Sequence, residues 1–128
     1  MISLKLQHKL LRISFDLISV PNATQKHFSF LLRRNKIISI GWNDAIKTEP
    51  LSYKYRSRFF TRHSELSAIK NSHLSADELS HLTLVNTRVN TWNRIMRSKP
   101  CDACQRMLQA FGLRNVIYTN EQGEFLTL

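Results

Sequence analysis

The sequence predicts an α/β domain, a mixed β-sheet with helices packed on it. Three observations carry that expectation. Apolar residues recur at helical spacing in some segments and in short strand-length runs in others. These segments follow the order α-β-β-(loop)-α-β-α-β-β. Some neighbouring strands are joined by turns too short for anything but antiparallel pairing, others by helices that allow crossovers. The 128 residues, 42% of them apolar, suffice for one domain with one core. Only three glycines and three prolines occur, so no stretch reads as a flexible linker, and no internal repeat is visible.

Leu6, Leu10, Ile13 and Leu17, widened by Leu11 and Ile18, predict an amphipathic helix ending before Pro21. His27 to Arg33 and Lys36 to Trp42 are short apolar runs, and Arg34-Asn35 between them predicts a tight hairpin. Gly41-Trp42-Asn43 closes the second strand. Residues 44 to 62 show no clear period and read as a long loop with room for a helical turn. The loop interleaves Lys47, Lys54, Arg56, Arg58 and Arg62 with Tyr53, Tyr55, Phe59 and Phe60. Long loops in compact domains are often functional. Residues 63 to 71 favour helix, and Ser75-Ala76-Asp77-Glu78 has the capping-box pattern of a short helical turn. His81 to Val89 reads as a strand with Leu82, Leu84 and Asn86 on one face, followed by a turn at Asn90 to Asn93. Residues 101 to 111 read as a helix that Gly112 terminates in a left-handed conformation. Asn115 to Thr119 is a strand, Asn120 to Gly123 a turn, and Glu124 to Leu128 a last strand.

The formal charge of +10 is unevenly spread. Met1 to Arg62 carries 12 Lys/Arg against 3 Asp/Glu, whereas His63 to Leu128 carries 7 against 6. Such a surplus attracts phosphorylated small molecules, nucleic acid or acidic membranes without choosing among them, and part of it is simply a solvated surface. No signal peptide is visible, because Lys5, His8, Lys9 and Arg12 interrupt the apolar N-terminus. No apolar run is long enough to span a bilayer. A soluble, intracellular, cytoplasmic protein without a membrane partner is expected, in which thiols stay reduced and free to bind metal.

Two short motifs carry chemistry: His63-Ser64-Glu65 and Pro100-Cys101-Asp102-Ala103-Cys104. Each opens a predicted helix. Residues three apart on a helix share a face, so both sulfurs can reach one ion, and the helix N-terminus promotes the thiolate. Alone, a C-x-x-C pair also fits thiol–disulfide exchange, but that reading leaves His63 without a role. Two cysteines cannot make a closed four-sulfur site. With His63 as third ligand, zinc keeps one open position, the arrangement of a catalytic site. Water there is acidified towards a pKa of about 7, so zinc-bound hydroxide is the expected nucleophile. Glu65, two residues from His63 and free of the metal, is the expected proton shuttle.

H-x-E followed by P-C-x-x-C is the signature of zinc deaminases. On these residues the chain resembles the cytidine and deoxycytidylate deaminase superfamily over roughly residues 28 to 125. Gly41-Trp42-Asn43 is similar to the family's strand-end G-x-N, which implies that Asn43 contacts sugar or base. Ser98-Lys99-Pro100 fits the lead into the second zinc motif, and residues 111 to 118 fit the link into the next strand. The resemblance implies a three-layer α/β/α fold on a five-stranded mixed sheet, Zn²⁺ as cofactor, and a homo-oligomer. Two departures point in opposite directions. Free-nucleoside enzymes usually have cysteine where His63 stands; histidine is used by deoxycytidylate, tRNA and polynucleotide enzymes. Yet the polynucleotide and tRNA enzymes place a helix before a parallel last strand, and only Asn120 to Gly123 intervenes here. The compact form suggests a virus or phage gene product acting in the host cytoplasm.

Two substrate classes and a non-enzymatic reading follow. In the first, the chain deaminates cytosine in a nucleoside or nucleotide, with Lys54, Arg56 and Arg58 holding a 5′-phosphate. In the second, it edits single-stranded nucleic acid, with Trp92 stacking a base or merely capping a hairpin. The third, an inactive zinc-stabilised binding protein, leaves Glu65 beside the metal without a use. The histidines His8, His27, His73 and His81 lack ligand-like spacing and are expected at the surface or in local hydrogen bonds. Ser64 and Asp102 carry no assigned chemistry.

Overall fold

A computed structural model describes residues 2–18, 25–48 and 61–128 of the chain. Helix α1 (Leu4–Leu17) leads to the hairpin strands β1 (Gln25–Arg33) and β2 (Lys36–Trp42). Strands β3 (Asp44–Thr48) and β4 (Thr61–Arg62) follow, then helices α2 (Ser64–Ser72) and α3 (Ala76–Leu79). Strand β5 (Thr83–Asn90), helix α4 (Asp102–Ala110) and strands β6 (Asn115–Thr119) and β7 (Phe125–Thr127) complete it. The main sheet has five strands in the order β2-β1-β5-β6-β7. Only β5 and β6 are parallel; β6 and β7 form the antiparallel last pair that the short turn requires.

One expectation is corrected. Residues 44 to 62 are not loop throughout, because their two ends pair as antiparallel β3 and β4 in a separate two-stranded sheet. The pairing is irregular between Asp44 and Thr48, which is why no alternation is visible in the sequence. Elsewhere boundaries shift by one or two residues. Strand β5 begins at Thr83 rather than His81, because Ser80 and His81 still belong to the turn that ends α3. The Ser75/Glu78 capping box is present, and Gly112 ends α4 at a φ of 82°. Arg34 supplies the left-handed residue of the β1–β2 turn, at a φ of 56°.

Period-two alternation divides the sheet residues between two cores, which makes three layers. Phe28, Phe30, Leu32, Val85, Val89, Ile117 and Phe125 pack with Ile2, Leu6 and Leu10 of the α1 layer. Leu31, Leu84 and Val116 face the other way, against Leu66, Ala68 and Ile69 of α2 and Met107 and Leu108 of α4. Buried hydroxyls pin α1 to the sheet: Ser14 Oγ donates to the Leu10 carbonyl at 2.8 Å and lies 2.6 Å from Thr87 Oγ1. On this face Lys26 is fully buried, with its ammonium 6.0 Å from the Trp42 ring centroid. No helix among the described residues is long and apolar enough to cross a membrane.

The α2 face of β2 is shaped for close approach. Pairing with β1 slips by one residue between Leu31 and Leu32, leaving Ile38 as the bulged position. In consequence consecutive residues serve the same layer: Ile38 packs into the α2 core and Ser39 Oγ donates to the Ala68 carbonyl at 2.7 Å. Two residues on, Gly41 lies directly under the helix. A Cβ there would meet Ala68 N, Ser64 O at 2.6 Å and Ser67 C at 2.7 Å, all of them backbone. No rotamer change relieves such overlaps. Gly41→Ala is expected to push α2 off the sheet and cost about 3 kcal/mol of stability. Urea unfolding checks this; a variant as stable as the parent would mean that α2 does not rest on Gly41.

Candidate active site

The first motif is set by the start of α2. His63 is its N-cap, with extended backbone and no side-chain capping bond. The imidazole instead reaches across to the second motif, with Nδ1 at 3.1 Å from Cys104 Sγ and 3.9 Å from Cys101 Sγ. Cys101 is the N-cap of α4, and its sulfur accepts the Cys104 backbone N–H at 3.5 Å. Two helix N-termini thus converge on one point, where their dipoles favour negative charge. The three ligand-type atoms all lie within 4.8 Å of one another, and among the described residues this group of three is the one that could hold a metal ion. Tetrahedral zinc with bonds of about 2.0–2.3 Å sets its N and S ligands roughly 3.6–3.8 Å apart. The observed separations bracket that value, so two thiols and an imidazole fit zinc in both chemistry and spacing.

The sulfurs differ in environment. Cys101 is exposed and Cys104 buried. A hydrogen bond from the Cys104 thiol is the main cause that pulls Cys101 down to about 4; His63 and the Cys104 backbone N–H assist, against burial. Cys104 goes the other way, pushed up by its bond to Cys101, by burial and by the Glu65 carboxylate. Without metal the pair therefore shares one proton, which resides on Cys104.

Glu65 stands in the first turn of α2, 5% exposed and outside the ligand group, yet close enough for Cys104 to feel its charge. Its carboxylate is clamped at both oxygens. Asn86 Nδ2 donates to Oε2 at 2.9 Å and Ser64 Oγ donates to Oε1 at 3.2 Å. The clamp is held in turn. Ser29 Oγ lies 2.5 Å from Asn86 Oδ1 and 2.8 Å from Ser64 Oγ. Asn86 Nδ2 also reaches the Ser98 carbonyl at 3.2 Å, and Ser98 Oγ returns a bond to the Asn86 carbonyl at 2.8 Å. Ser98 sits just ahead of Pro100-Cys101, so one buried amide joins the carboxylate to the chain that delivers the thiols.

The arm carrying Ser98 is an addition to β5. After the turn at Asn93, φ 58°, Ile95 bridges antiparallel to Val89 and Met96 N–H donates to the Arg88 carbonyl at 2.7 Å. Thr119 at the end of β6 receives Ser98 through backbone and hydroxyl bonds of 2.7–2.9 Å.

The structure brings together His63, Glu65, Cys101 and Cys104. Asn43 lies just past β2, with Oδ1 accepting the His27 backbone N–H at 3.0 Å. Lys54, Arg56 and Arg58 lie outside the described residues, as do Tyr53, Tyr55, Phe59 and Phe60. Two expectations change. Ser64, given no chemistry, bonds to Glu65. His8, His73 and His81 are exposed as expected, but His27 is partly buried on the sheet face that bears the site. Ser29, Asn86 and Ser98 were missed; the signal was a polar residue at an inward position of a strand, as in Phe28-Ser29-Phe30 and Val85-Asn86.

No family model matches the chain, and no curated protein matches it. Solved structures do. A dCMP deaminase from the cyanophage S-TIM5, in complex with dCMP and dUMP, superposes with a TM-score of 0.59 at 19% identity, covering 94% of this chain and 85% of that one. The apo form of the same enzyme gives 0.57 at 19% identity, covering 93% and 86%. At that identity the likeness establishes a common fold, that of a dCMP deaminase.

Two outcomes are expected. Metal binding expels the shared thiol proton, so zinc affinity should rise about tenfold per pH unit between pH 7 and 9. Competition with a chromophoric chelator measures this, and a flat profile would mean no such proton exists. Asn86→Asp keeps the shape but replaces the donor facing Glu65 by an acceptor. Turnover should fall about 10–100-fold with zinc content unchanged, read by kinetics and metal analysis on one sample.

Proposed function

We propose that this chain is a zinc-dependent deaminase that hydrolyses the 4-amino group of cytosine in a nucleoside or nucleotide, giving the uracil product and ammonia. One observation carries the reading: a two-thiol, one-imidazole cluster beside a clamped carboxylate that is not part of it. A purely structural metal site has no use for that carboxylate. The shared dCMP deaminase fold supports it.

His63, Cys101 and Cys104 would hold the zinc through one imidazole and two thiolates. When bound, zinc would supply the Lewis acidity that makes water a nucleophile near neutral pH. As the oxygen of a water molecule adds to C4, Glu65 would take one proton from it and pass it to the ring nitrogen. It would then take the second proton from the added hydroxyl and give it to the amino group, whose bond to C4 breaks to release ammonia. A carboxylate that works in two steps must swing little and miss neither partner. Asn86 and Ser64 hold its two oxygens, and burial keeps bulk water from competing.

The antiparallel β6–β7 pair supports a small-molecule substrate, because the polynucleotide relatives place a helix there. The solved cyanophage enzyme was captured with dCMP and dUMP, the ligand class assigned to this chain. A second reading, deamination within a single strand, is favoured by Trp92, 70% exposed in the turn after β5, where a base could stack.

The test is a panel of dCMP, CMP, deoxycytidine, cytidine and a cytosine-bearing single strand, followed by loss of cytosine absorbance. Turnover of the monomers alone is expected; turnover of the strand alone would establish the second reading. Glu65→Gln should retain zinc and lose at least about 100-fold in rate. An active variant would remove Glu65 from the chemistry.

A further inference from the structure

The sheet face bearing the site is laid out in rows. Along β1 and β5 the cross-strand partners on this face are Leu31·Leu84, then Ser29·Asn86, then His27·Arg88, each row about 7 Å from the last. The first row is apolar and lies in the core beneath α2 and α4. The second grips Glu65. The third lies one step further along the same face. Strand β2 extends it, because Asn43 follows the Phe28·Trp42 pair and accepts the His27 backbone N–H at 3.0 Å. Asn43, His27 and Arg88 therefore stand side by side across three strands.

His27 lies near enough to His63 and Cys101 to feel their charges. Burial, then the charges of Arg88 and His63, bring the His27 imidazole down to about 4, with Cys101 opposing. At neutral pH the ring is uncharged, able to donate at one nitrogen and accept at the other. The bond from His27 occupies the Asn43 carbonyl oxygen and leaves its amide nitrogen to donate. Arg88 brings a planar, permanently charged fork suited to a phosphate group. The row thus offers neutral hydrogen-bonding groups next to a fixed cation, one step from the carboxylate that handles the base.

We propose that His27 and Arg88 complete the substrate site beside Asn43, the sugar or base contact that the G-x-N resemblance already implies, with His27 binding the sugar and Arg88 the 5′-phosphate of a cytosine mononucleotide. The assignment rests on the deaminase reading for the position of the base. Arg88 lies in the nearly neutral second half of the chain, apart in sequence from the basic surplus of the first half.

The experiment measures binding, so that it is separable from turnover. Zinc-loaded Glu65→Gln protein is titrated calorimetrically with dCMP, deoxycytidine and a short single strand containing one cytosine. The same is done with Arg88→Ala and with Arg88→Lys added, each accepted only if zinc content and melting temperature match the parent. Arg88→Ala should weaken dCMP about 10–100-fold and deoxycytidine less than about threefold, with Arg88→Lys between. Equal losses for dCMP and deoxycytidine, or no loss for dCMP, would overturn the phosphate assignment. So would a strand that binds as tightly as dCMP with the same dependence on Arg88. If the unaltered protein fails to deaminate dCMP yet the dCMP-selective loss is seen, the row stands and the deaminase reading falls. If it deaminates dCMP with a KM indifferent to Arg88, the row falls and the deaminase reading stands.

Discussion

The approach of α2 to β2 governs the rest of the molecule. Backbone meets backbone there, with no side chain between Gly41 and the Ser64–Ala68 segment of the helix. That closeness brings the N-terminus of α2 down to the sheet, so that Glu65 touches a residue of β5 and His63 reaches the start of α4. A methyl group at position 41 would lift the helix. The carboxylate and the imidazole would rise together, away from partners that sit on other elements. Ser39, bonded to the Ala68 carbonyl from the neighbouring inward position, holds the same stretch of helix against the strand. The bulge at Ile38 is what puts an apolar residue and a hydroxyl side by side on that face.

Around this contact lies a buried polar network that the two apolar cores enclose. Ser29, Ser64, Glu65, Asn86, Ser98 and Thr119 are all nearly or fully inaccessible. Buried polar groups are costly unless bonded, and here each is bonded. The network ties α2, β1, β5, β6 and the approach to α4 to one another, so these segments cannot drift independently. Such cross-linking suits a site whose parts come from separate stretches of chain. Both motifs cap helices, and the thiol that ionises more readily is the exposed one at the helix end, where the hydrogen bond from the Cys104 thiol, and after it the His63 imidazole, favour the thiolate.

The sheet face then acts as a graded surface. Moving along β1 and β5 it passes from aliphatic residues, through the amide that clamps Glu65, to a neutral imidazole beside a guanidinium. Period-two alternation alone produces this order, since residues two apart share a face. The arm from Arg94 to Ser98 adds a return strand beside the end of β5, so the thiols arrive from the side of the sheet where the polar rows lie.

Local pattern determined much of this protein. The helical spacing of Leu6 and Leu10, the alternation of β1 and β5, the Ser75 capping box and Gly112 each express a preference that nearby residues satisfy. The sequence therefore announced the mixed α/β order and the antiparallel last pair. The same is true of the pairing of His63 with Cys101 and Cys104, because ligand type and helix-start position are both local properties. Tertiary structure alone decided the rest. The pairing of β3 with β4 joins residues on either side of a long segment, and its irregular register leaves no periodic trace. Asn86 is one amide among many in the sequence, and it becomes the clamp only because β5 lies under the first turn of α2. His27 and Arg88 are 61 positions apart (88 − 27) and become neighbours through strand register. Contacts between distant segments depend on where whole elements pack, and no short window of residues contains that information.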